Sequence, residues 1–189
     1  MSAAPIDPRR LGMEDAAAYR EIRLEALADS PHAFSSTLES EQEQPLDRFA
    51  ARLADDFVLG AFVGARLIGV AGFYVQPRLK HRHKGMLWGM YVRPDHRSAG
   101  IGRKLVEAII AHARQHVELL QLFVVADNMP ARRLYASLGF VEYGIERYAT
   151  KYHGEYHDDV LMALPLMRDS AAAASAVPTQ EISAEEVSA

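Results

Sequence analysis

Cysteine is absent from the chain, which excludes a disulfide framework, a thiolate metal site and a cysteine nucleophile, and leans slightly toward a reducing compartment. Long hydrophobic runs are missing too. No segment approaches the ~18 apolar residues of a spanning helix, and the opening MSAAPIDPRR has no apolar stretch of the kind a secretory leader carries. A cytoplasmic protein with no membrane partner is therefore expected. Nor is there an excess of basic charge: the net charge is -4 with histidine neutral, and three of those negative charges fall after Met167. A near-neutral folded part does not suit a nucleic-acid binder that relies on a strongly basic surface, so no nucleic-acid partner is expected.

What is there is the mixture of a globular protein, 49% hydrophobic and 24% charged over 189 residues, enough for one core without staples. Residues 15–28 place Ala18, Ile22, Leu24, Ala26 and Leu27 among charges as an amphipathic helix, closed by Asp29-Ser30-Pro31. SSTLESEQEQP is an acidic loop or short helix, and residues 45–54 put Leu46, Phe49, Ala50 and Leu53 on one helical face. Residues 57–63 and 67–75 read as a hairpin about Gly64-Ala65-Arg66. After the basic loop PRLKHRHKG comes a strand over 86–92, stopped by Arg93-Pro94-Asp95. A helix follows to about Gln115, with Ile101, Leu105, Ala108, Ile109 and His112 on one face. The apolar run LLQLFVV predicts a strand buried on both faces. Asn128 caps a helix through Leu138 with Gly139 as its stop, and residues 140–148 and 156–166 supply two last strands. The order implies a mixed α/β sheet with parallel neighbours in the middle and antiparallel flanks. Residues 1–167 are expected to form one domain, and 168–189, without an aromatic residue, a disordered tail.

RSAGIGRK is the stretch with chemistry in it. Gly100 and Gly102 allow close backbone approach, and the free amides of residues 100–104 would point from a helix start toward an anion, with Arg97, Arg103, Lys104 and Ser98 around them. A tight strand-to-helix turn with solvated basic residues would look the same. A P-loop fails because Gly102 is followed by Arg103-Lys104-Leu105, and a dinucleotide fingerprint fails because its third glycine position is Leu105.

Arg97-x-x-Gly100-x-Gly102 after MLWGMYVRP, followed by Asn128-x-x-Ala131-x-x-x-Tyr135 and Leu138-Gly139-Phe140, resembles the GCN5-related N-acetyltransferase (GNAT) superfamily. The likeness covers about residues 5–166, strongest in these two motifs. It implies the acyl-CoA N-acyltransferase fold, a mostly antiparallel sheet with a splayed parallel strand pair flanked by helices. It implies acetyl-CoA as acetyl donor and a primary amine, on a small molecule or peptide, as acceptor attacking directly in a ternary complex. Residues Arg97, Ser98, Ala99, Gly100, Ile101, Gly102 and Arg103 would hold the pyrophosphate. Met90, Tyr91 and Val92 would pair with the pantetheine arm beside a bulge at Gly89, and one of their backbone amides would polarise the thioester carbonyl. Asn128 and Arg132 would lie along the second cofactor helix, and Tyr135 near the sulfur as general acid. A strand-pairing homodimer is also compatible with the resemblance.

The base is not given by the likeness, because residues 85–93 contain no Asp or Glu. Glu39 leads, Glu41 stands behind it, and a water relay is an equal rival. The acidic loop (Glu39, Glu41, Glu43) favours a cationic acceptor. His81, His83, His153 and His157 lack metal-ligand spacing, so no metal is expected. Two other functions stay open: a non-catalytic acyl-CoA sensor, and a nucleic-acid binder using PRLKHRHK.

Overall fold

The computed structural model describes residues 6–166. Seven strands form one sheet in the order β1-β2-β3-β4-β5-β7-β6, with β1 Arg9–Arg10, β2 Phe57–Val63, β3 Arg66–Val75, β4 Lys84–Val92, β5 Leu119–Val125, β6 Val141–Tyr152 and β7 Glu155–Pro165. Among the described residues only β4 and β5 run parallel; every other pair is antiparallel. Two layers of helix flank it: α1 Ala16–Asp29, α2 Leu38–Gln42 and α3 Leu46–Asp55 on one side, α4 Ile101–Ala113 and α5 Met129–Ser137 on the other. The expected mixed fold with its central parallel pair is what forms.

The larger core lies under α4, whose fully buried Leu105, Val106 and Ile109 meet Ile68, Ala71, Leu120 and Met162 of the sheet. The smaller packs Tyr19, Ile22 and Ala26 of α1 against Phe49 and Leu53 of α3 and Val58, Leu67, Val70 and Tyr91 of the sheet. Between them the sheet is covered on both faces over most of β2 and β3.

Two expectations are corrected. β5 is buried on one face only: Leu120, Leu122 and Val124 point into the α4 core, while Phe123 on the opposite face is 46% exposed. Its apolar run is read as doubly buried by sequence alone, but α1 to α3 cover the other half of the sheet and leave that face to a cleft. β1 was not expected at all; its two exposed residues carry no alternation, and pairing with Gly60 and Leu59 defines it. Helix α4 ends at Ala113, two residues before the expected Gln115. The tail expected to be disordered lies outside the described residues.

Candidate active site

β4 and β5 are hydrogen-bonded only where residues 84–86 face 119–121. Beyond Met86, β4 is diverted by a bulge, in which the register against β3 slips between Val70 and Gly72 and Gly89 takes φ +62°. Glycine adopts that left-handed conformation without a Cβ penalty, and a bulge bends and twists the strand that carries it. The two strands therefore part. Leu87, Trp88, Gly89 and Met90 wall one side of the gap, Leu122 to Val125 the other, and Asn128, Ala131 and Tyr135 of α5 close an end, around a cavity of about 340 Å³. Among the described residues, backbone groups facing this gap have no strand partner across it.

The glycine loop stands where β4 hands over to α4. Ser98 (φ 64°) and Gly100 (φ 78°) are both left-handed, an alternation that turns successive amides to the same side as an anion-binding nest. Among the described residues the amides of residues 98–103 meet no backbone acceptor, whereas Lys104 N–H donates to the Gly100 carbonyl at 3.1 Å. The free donors thus begin and end earlier than the 100–104 expected from the sequence. They lie at the positive end of α4, the end that favours an anion. A Cβ on Gly102 would sit 3.4 Å from Leu134 and 4.0 Å from Met90, so helix, cleft wall and α5 converge here.

Of the sequence-predicted side chains, Met90, Asn128 and Tyr135 line the cleft. The Asn128 Oδ1 accepts the Ala131 N–H at 3.2 Å, so the residue caps α5 as well. Tyr135 is buried with Phe140 edge-on at 5.8 Å. Burial alone pushes its phenol above the ordinary range, which keeps it protonated at any working pH.

Five predicted side chains are directed elsewhere. Arg97 folds back, donating to the Val92 carbonyl at 2.9 Å and to Asp29 at 2.6 Å. Arg103 reaches Ser137 Oγ at 2.7 Å. Arg132 holds Glu142 at 2.8 Å and the Ala126 carbonyl at 2.7 Å, and of the two neighbours it is Ala131 that lines the cleft. The Tyr91 side chain enters the α1 core and donates to Glu25 at 3.3 Å, its phenol pushed up to about 12 by burial and by Asp29 and Glu25. Glu39 is exposed on α2, where its own backbone amide and Thr37 hold its carboxyl below the usual range, and it does not line the cleft.

Of the opposite wall, sequence reasoning named only Glu41, behind Glu39, and passed over its arginine partners. Arg23 and Glu41 are both buried, with Arg23 Nε at 3.2 Å and Nη2 at 2.9 Å from the Glu41 carboxylate, and Arg52 joins at 3.3 Å. Burial would raise the Glu41 carboxyl, but the two guanidiniums outweigh it and hold it below normal. Of the three carboxylates in the acidic loop, Glu41 is spent internally, while Glu39 and Glu43 stay exposed. Asp56 also lines the cleft; burial pushes its carboxyl up despite Arg52. Trp88 lies in the wall with its buried indole N–H unpartnered, its ring over Gly72, where a Cβ would fall 2.3 Å away. Charged residues inside an amphipathic pattern were the available signal. Among the described residues, no three His, Asp or Glu side chains gather as a metal site, and no helix is long and apolar enough to cross a membrane.

A profile of the acetyltransferase (GNAT) family matches residues 20–140. Mycothiol acetyltransferase of Thermobispora bispora is 31% identical over 137 residues, 70% of this chain and 45% of that protein. The [ribosomal protein bS18]-alanine N-acetyltransferase of Escherichia coli K12 is 38% identical over 81 residues, 42% of this chain and 55% of that one. The chain spans about half the length, or less, of these curated relatives. The structure of yncA from Salmonella typhimurium with its cofactor acetyl-CoA superposes with a TM-score of 0.73 at 25% identity, covering 90% of this chain and 99% of that one.

Proposed function

The chain belongs to the acetyltransferase (GNAT) family, and on that premise we propose that it transfers the acetyl group of acetyl-CoA to a primary amine of a small molecule or peptide, by direct attack in a ternary complex. The observation that carries this reading is the continuity of two features. Acceptor-less amides over residues 98–103 adjoin an unpaired strand edge that leads to a buried, protonated phenol.

The amides at the mouth of α4 hold the donor's pyrophosphate, and Met90, with its neighbours' backbone, lies along the pantetheine. A backbone N–H of the bulged segment polarises the thioester carbonyl. The amine nitrogen forms its bond to the carbonyl carbon as the C–S bond breaks, and Tyr135 gives the departing sulfur its proton. The amine's own proton leaves through cleft water toward Asp56, the cleft carboxylate that forms no ion pair among the described residues. Glu39 is replaced in this role. With saturating substrates, Asp56→Asn lowers kcat about tenfold and Glu39→Gln leaves it unchanged; equal behaviour of the two variants in a thiol-release assay contradicts the assignment.

Calorimetry with coenzyme A, followed by thiol release with a panel of amines, tests the reading as a whole. At Gly100 no atom lies within 4 Å of a prospective Cβ, so Gly100→Ala changes only the cost of its left-handed backbone, φ 78°. That cost is about 1 kcal/mol, and relaxation of the turn weakens coenzyme A binding about fivefold to tenfold. An unchanged Kd removes the loop from the site. The reading places the protein in the cytoplasm. It allows a homodimer through the uncovered sheet face bearing Phe123, Val141 and Tyr143, all exposed; sedimentation velocity distinguishes monomer from dimer.

A further inference from the structure

The Arg23 side chain is only 7% exposed, and two of its three guanidinium nitrogens are committed to Glu41. The third, Nη1, has no acceptor among the described residues and lies 4.0 Å from where a Gly89 side chain would begin, at the bulge that opens the cleft. Phe34 backs the guanidinium with its ring 4.9 Å away, and it too lines the cavity. A buried, stacked, doubly anchored arginine with one donor left over is a built half of an ion pair.

Charge points the same way. Arg23 and Arg52 share the single carboxylate of Glu41, so the triad carries one positive charge that it does not neutralise itself, in a site where uncompensated charge is costly. Asp56 is the remaining charged residue of the cleft wall; it acts on Arg52, and it neighbours Tyr74 on β3 rather than Gly89.

We infer that Arg23 Nη1 anchors the carboxylate of the acceptor, which makes a free α-amino acid the acceptor class. The inference rests on the acetyl-transfer reading above. In an α-amino acid the amine is one carbon removed from the carboxylate, so a carboxylate held beside Gly89 sets the amine against the Gly89-Met90 segment, where the thioester carbonyl is to be polarised. A simple alkylamine or a peptide N-terminus brings no carboxylate to that point and leaves the positive charge unanswered.

The test uses the wild-type chain. Thiol release is measured at saturating acetyl-CoA with the twenty free amino acids, their carboxamides, and dipeptides that begin with the same residue. At least one free acid is expected to exceed its own carboxamide and dipeptide in kcat/KM by about tenfold or more. Arg23→Lys should collapse that ratio toward one while the Kd for coenzyme A stays put; if the variant does not fold, the wild-type ratio decides alone. Equal rates for acid and carboxamide assign Nη1 to the thioester oxygen instead and overturn the anchor. So does the failure of every free amino acid while coenzyme A still binds. Absence of coenzyme A binding overturns the acetyl-transfer reading itself, and the anchor with it.

Discussion

Tyr135→Phe lowers kcat for thiol release about a hundredfold, with the Kd for coenzyme A unchanged. The phenol is buried and its pKa is raised by that burial alone, so under the proposed mechanism it serves as a neutral acid. Phenylalanine keeps the edge-on contact with Phe140 at 5.8 Å and fills the same volume, which confines the change to one hydroxyl. Folding stability should change little, because the ring packing is kept, and a thermal melt checks that the loss is chemical. Because the phenol stays protonated across the assay range, its removal does not alter the alkaline limb of the pH-rate profile. A variant with wild-type turnover at saturating substrates would take the general-acid role away from Tyr135.

Glu41→Ala is the costliest substitution expected for stability, about 3–5 kcal/mol, read by denaturant unfolding. It removes the shared partner of Arg23 and Arg52 and leaves Arg23, only 7% exposed, without a counter-charge. Converting Arg23 and Glu41 together to apolar residues should cost much less than Glu41→Ala, since the penalty lies in the orphaned charge and not in the pair. The pH sign follows from the depressed carboxyl of Glu41. Its stabilisation is fully present above the unfolded value of ~4.3 and is lost as pH falls through the lower folded value, so below that point wild type and variant converge. Curves that stay parallel down to acid pH would show that the carboxylate contributes nothing through its charge.

The parts legible in the sequence are those governed by local rules. The 3.6-residue period of α4, the Asn128 cap, the Gly64 turn and the glycines of the anion loop each declare themselves within a few residues, and the bulge at Gly89 follows from one glycine in an apolar strand. The acceptor wall did not, because it is assembled over long separations. Arg23 and Glu41 lie on different helices, Asp56 just after α3, and each reads singly as a solvated charge. Glu39 and Glu41 are two residues apart in an acidic stretch with nothing local to rank them. The difference arises only when α2 packs on α1 and draws one carboxylate inward. Arg97, Arg103 and Arg132 show the opposite case: the motif draws attention to them, and nearby carboxylates, carbonyls and a hydroxyl take up their guanidiniums.

The chain's single tryptophan, Trp88, stands in the cleft wall with its indole N–H buried and unmatched. Its emission is therefore an intrinsic optical gauge of that cavity: a molecule entering the cleft changes the polarity around this one fluorophore, with no background from others. Titrating donor and acceptor separately against that signal resolves the order in which they load, on the protein as it stands and without a label.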